Sequence, residues 1–103
     1  MSPSEVSKLI ELDLRANFHK LNWLGRPISE CLVTPVLKEV ANALNENESL
    51  VVWLVLEEDP VTRSAYKIVY SQEDDEFGLA VCGSERDVLI GWYGGFVEAL
   101  CSM

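Results

Sequence analysis

With a single histidine and three cysteines among 103 residues, the chain has few of the groups that most catalytic and metal chemistry requires. Catalytic triads, metal centres and proton shuttles usually include a positioned imidazole. The one imidazole, His19, falls beside the apolar stripe of a helix. Pairing it with Cys31 as base and nucleophile lacks any third group to orient the base. A boundary histidine near a helix C-terminus is the simpler reading. No catalytic residue is assigned, and an enzyme is not expected. Cysteines at 31, 82 and 101 are odd in number and contain no C-x-x-C pair, which argues against a disulfide framework and against zinc. Each adjoins apolar residues, so all three read as small core hydrophobes in a reducing, cytoplasmic setting.

Positive charge is also scarce. Eight bases stand against 17 acids, a net charge of −9, so nucleic acid is not an expected partner. The longest apolar run, residues 50–56, is far too short to span a bilayer, and no membrane association is expected. The first residues lack the basic and apolar regions of a signal peptide. Neither G-x-G-x-x-G nor a P-loop lysine occurs. The carboxylates Glu73, Asp74, Asp75 and Glu76 lack the alternation and central glycine of an EF-hand, so neither metal nor cofactor is expected. Gly94-Gly95 offers backbone N–H groups to an anion, but reads first as a tight turn into the last helix.

What remains is a well-filled single domain over 1–103. At 49% hydrophobic residues the chain can build a core without staples, and a 24% charged fraction argues against disorder. Ser2-Pro3-Ser4-Glu5 carries a capping box with proline in the first turn. Val6, Ile10, Leu14, Phe18 and Leu21 then predict a helix over 3–21. Residues 22–27 break it, and 28–33 read as a turn. Thr34-Pro35, followed by Val36, Leu37, Val40, Ala41 and Leu44, predicts a second helix over 35–46. From residue 50 the period changes. Strands are predicted over 50–56, 65–71, 77–82 and 88–92, with polar or glycine turns between them. A short helix follows from Phe96. The order is ααββββα: an α+β two-layer domain, its four-stranded antiparallel sheet carrying the helices.

Two features rise above this background. Residues 1–45 carry five acids and five bases, whereas residues 46–103 carry twelve acids and three bases. In a meander, Glu46 and Glu48 lie at the same end as Glu73, Asp74, Asp75 and Glu76. That forms an acidic pole with no base in either segment, suited to steering a basic protein partner. The second feature is the strand at 50–56. It is apolar on both faces, yet a four-stranded meander puts it at an edge. Either the strand order is not sequential and this strand lies inside the sheet, or another chain covers its edge and second face, for which a homodimer is one arrangement.

The leading expectation is therefore a small acidic protein-binding protein. Immunity proteins and antitoxins that neutralise basic toxins share this size and charge. The alternative is a small-ligand-binding or regulatory domain, with a pocket near Tyr66, Tyr70, Trp92 and Tyr93.

Overall fold

A strand with no polar face must be covered on both sides, and residues 52–56 of the apolar run at 50–56 are buried, while Val51 is exposed. In the computed structural model, which describes residues 1–17, 31–43, 48–58, 65–83 and 86–102, the run lies within β2 (Glu48–Glu57). On one side it pairs with β1 (Leu32–Asn42), on the other with β3 (Lys67–Ser71). Next come β4 (Glu76–Val81) and β5 (Val88–Gly94). Helices α1 (Pro3–Asn17) and α2 (Phe96–Cys101) lie among the described residues. Each strand is antiparallel to the next in chain order. The first and last meet in two parallel pairs, Ala41↔Val88 and Asn42↔Leu89, which close the sheet into a barrel.

Closure gives the sheet two buried faces. Val40, Val52, Leu54, Val69, Ala80 and Leu89 form one core cluster, on the inward face. On the outward face Trp53, Ile68, Tyr70, Phe77 and Leu79 pack with Val6 and Ile10 of α1 and with Phe96, Val97 and Leu100 of α2. Strand alternation separates the two sets, since Val52 and Leu54 face inward while Trp53 faces the helices. Between Leu54↔Val69 and Leu56↔Ile68 the register slips by one at Val55, so both Val55 and Leu56 join the outer cluster. Gly78 is required by crowding. A Cβ there would stand 2.6 Å from the Gly91 carbonyl oxygen and 2.9 Å from the Trp92 ring.

The α+β architecture and the four predicted strands are observed, but the sheet has a fifth strand. The segment predicted as a second helix, 35–46, is extended through Asn42, and β1 begins at Leu32 inside the predicted turn. Spacing misled here because Val36, Leu37, Val40 and Ala41 fit a helical stripe. Only Val40 and Ala41 are buried, whereas Val36 and Leu37 are about half exposed. Val33, Thr34, Val36 and Val40 are β-branched and favour a strand. Pro35 is accommodated where the β1–β2 register is irregular, between Leu32 and Val36. The strand order is sequential, contrary to the expectation of a reordered sheet; the extra strand is what places residues 50–56 inside it, with Val51 still exposed.

The N-terminal helix starts as predicted. The Glu5 backbone N–H donates to Ser2 Oγ at 3.3 Å, and Ser2 Oγ donates to Glu5 Oε1 at 3.2 Å. Residues 18–21 of the predicted helix and the break at 22–27 lie outside the described residues. Among the described residues, no helix is long and apolar enough to cross a membrane.

Candidate functional site

The acidic turn between β3 and β4 is built by its own side chains. Ser71 Oγ accepts from the Asp74 backbone N–H and donates to Asp74 Oδ2, both at 3.2 Å. Asp75 adopts φ of +50°, a left-handed conformation that aspartate tolerates better than most residues. Its carboxylate accepts from the Tyr70 hydroxyl at 2.5 Å. Burial, the hydrogen bond to Asp75 and that carboxylate's charge together push the Tyr70 hydroxyl pKa up to about 12. Asp74 and Asp75 therefore shape the turn, while the side chains of Glu73 and Glu76 make no ion pair or hydrogen bond among the described residues. Glu73 is exposed and Glu76 half-buried.

Glu48 opens β2, whose N-terminal end points the same way as the C-terminal end of β3. A base absent from chain-order reasoning reaches this side. Arg86 Nη1 meets both Glu39 Oε1 and Ser49 Oγ at 2.6 Å, beside Glu48. Glu46 lies outside the described residues.

A second charged group was not foreseen. Lys67, Glu57 and Asp87 are all buried, and Lys38 reaches the same place from β1. Lys67 Nζ lies 2.7 Å from Asp87 Oδ1 and 3.9 Å from Glu57 Oε1, and Lys38 Nζ lies 3.2 Å from Asp87 Oδ2. Strand parity explains the gathering. Lys67 alternates with Val69, Lys38 with Val40, and Glu57 pairs with Lys67, so all three share the inward face. Burial pushes the Asp87 carboxyl up, but hydrogen bonds and charge from Lys67 and Lys38 outweigh it and hold it below the ordinary carboxylate range. The group balances two acids with two bases and bridges β1, β2, β3 and the start of β5. A lysine alternating with apolar residues in a strand was the available signal.

The anion at the Gly94-Gly95 turn belongs to the chain itself. Asp13 Oδ2 of α1 accepts from the Val97 backbone N–H at 2.8 Å, capping α2 from another element, and Asn17 Nδ2 donates to Asp13 Oδ1 at 3.1 Å. Gly94, at φ of +78°, makes the turn. The four aromatics proposed as a pocket are divided. Tyr70 lies in the outer core and Tyr93 packs against it, Trp92 packs against the inner cluster, and Tyr66 is exposed.

Of the cysteines, only Cys31 is buried, its thiol 3.7 Å from the Glu58 carbonyl oxygen, whereas Cys82 and Cys101 are exposed. The reading of all three as core residues fails for these two. Cys82 follows the end of β4, and Cys101 ends α2 on its open side. His19 lies outside the described residues. The buried indole N–H of Trp53 has no acceptor among the described residues. No family model, curated protein or solved structure matches the chain.

Proposed function

We propose that this is a protein-binding protein whose partner is basic, an inhibitor of the immunity or antitoxin kind being the specific form. The observation that supports the reading is where charge is left uncompensated. The described bases of the sheet are committed, Lys38 and Lys67 to Asp87 and Arg86 to Glu39. Glu73 and Glu76 have no base within ion-pair distance among the described residues, and they flank two aspartates that the turn itself holds in place. Carboxylates on a rigid hairpin form a preset negative field, which raises association rates with a basic surface more than it raises affinity.

The test uses Glu73→Gln/Glu76→Gln, which spares the turn-forming aspartates. With the basic protein captured from source lysate at low salt, association of the variant is expected to be several-fold slower, with a flatter dependence on ionic strength. Melting temperature should stay unchanged or rise slightly. Equal rates and equal salt slopes would overturn the reading.

A further inference from the structure

The helices stop short of covering the first two strands. Of β1, only Leu32 packs against the outer cluster, and Trp53 is the first residue of β2 to belong to it. Leu37 pairs with Trp53, and Glu39 with Val51, so Leu37, Glu39 and Val51 share the outward face with Trp53. Val51 (65% exposed) and Leu37 (54% exposed) are the two most exposed large apolar side chains among the described residues. They are also diagonal neighbours across the β1–β2 ladder, a separation of roughly 7 Å over which side chains interact. Single exposed apolar residues are ordinary, whereas adjoining ones rimmed by charge mark an interaction site.

Charge around this strip is compensated at the centre and left over at the rim. Glu39 Oε1, between the two apolar residues, lies 2.6 Å from Arg86 Nη1 and 3.3 Å from Ser49 Oγ. Counting on from Trp53↔Tyr70, Val51 comes level with Gln72, and the acidic turn begins at the next residue. There Glu73 is exposed, with no ion pair among the described residues. An apolar centre with its charge neutralised, inside a charged rim, is the anatomy of a protein–protein contact.

We propose that this strip is the surface on which the basic partner docks, through a segment whose large apolar side chains are flanked by lysine or arginine. The apolar side chains cover Leu37 and Val51, and the flanking cations face Glu73 at the rim. Charge selects this occupant over a second copy of the chain, which carries the same acidic turn and the same net charge of −9. The proposal rests on the basic-partner reading above and adds the surface and the chemistry of the contacting segment.

Two blocked peptides are the probes. One has leucine, phenylalanine and leucine between two pairs of lysines, and the other has serine at the three apolar positions. At low salt the apolar peptide should bind about tenfold tighter than the serine peptide, the scale set by burying an exposed aliphatic side chain. It should also shift the methyl resonances of Leu37 and Val51. Leu37→Thr/Val51→Thr keeps β-branched residues on the strands and should remove the tenfold preference while leaving the melting temperature near that of wild type. If that variant fails to fold, the two peptides carry the comparison on wild-type protein.

Equal, salt-sensitive binding of both peptides, with no shift at Leu37 or Val51, would overturn this docking surface and leave the basic-partner reading standing. Equal binding of the apolar peptide after its lysines are replaced by glutamine would overturn the basic-partner reading and the proposal with it. Binding of neither peptide at millimolar concentration would overturn both. A doubled molecular mass of the peptide-free protein, lost in Leu37→Thr/Val51→Thr, would make a second copy the occupant and overturn the proposal.

Discussion

Asp87→Asn tests how the inner charges hold the barrel shut. The change keeps the shape of the side chain and removes its charge. It leaves the Lys67 ammonium buried, with Glu57 Oε1 at 3.9 Å in place of Asp87 Oδ1 at 2.7 Å. Breaking a buried pair by removing one partner costs about 3–5 kcal/mol. Glu57 stays close and the Lys38 side chain is 36% exposed, so the lower end applies, about 3 kcal/mol. For a domain of this size that lowers the melting temperature by roughly 12–24 °C. Neutralising the buried charges together, Glu57→Gln/Lys67→Met/Asp87→Leu, should cost far less, because only the part-exposed Lys38 then loses its partner.

The assay is thermal and urea unfolding of wild type and both variants across pH. Asp87 is held below its ordinary range, so its stabilisation is complete above the unfolded carboxyl pKa of about 3.9 and is lost as pH falls through the depressed folded value. The gap between wild type and Asp87→Asn should be constant from about pH 5 to 8 and close in stronger acid. A single mutant within about 0.5 kcal/mol of wild type, or a gap indifferent to acid, would refute the reasoning.

Two further outcomes are expected. A thiol reagent should label Cys82 and Cys101 promptly in native protein and Cys31 only after denaturation, which counting labelled groups by mass will check. Tyr70 holds its proton to about pH 12, so the stability it confers should persist below about pH 10 and be lost as pH rises towards 12. Ultraviolet titration should find the late-ionising phenol, and Tyr70→Phe should remove both it and the associated alkaline loss.

The sequence made some elements plain and hid others for identifiable reasons. The α1 start was legible because Ser2, Pro3 and Glu5 act locally, within one turn. The strand at 50–56 showed in its composition, and the cover that its two apolar faces required is met at residues 52–56. The source of that cover was hidden, because β1 meets β2 through residues whose local spacing suits a helix, and pairing with β2 overrides that preference. The acidic turn was visible as a charge run. Neither Arg86 beside Ser49 nor Lys67 beside Asp87 could be seen, because barrel closure joins residues 37 and 20 positions apart. The Asp13 cap on α2 spans 84 positions and left no local trace.

That last contact has a consequence for how the chain is made. Helix α2 has only six residues, too few to persist alone, and its first turn relies on a carboxylate from α1. As the polypeptide leaves a ribosome, α1 therefore emerges well before the helix it caps. Trp53, Ile68, Tyr70, Phe77 and Leu79 lack half their roof until Phe96, Val97 and Leu100 have been synthesised. The seam likewise waits for Val88 and Leu89. Such distant pairings must be closed before they yield any stability, which places folding on the millisecond-to-second scale of β-rich domains. The nascent chain accordingly carries an open apolar sheet until residues 88–100 are translated, and this interval is when it depends most on holding chaperones.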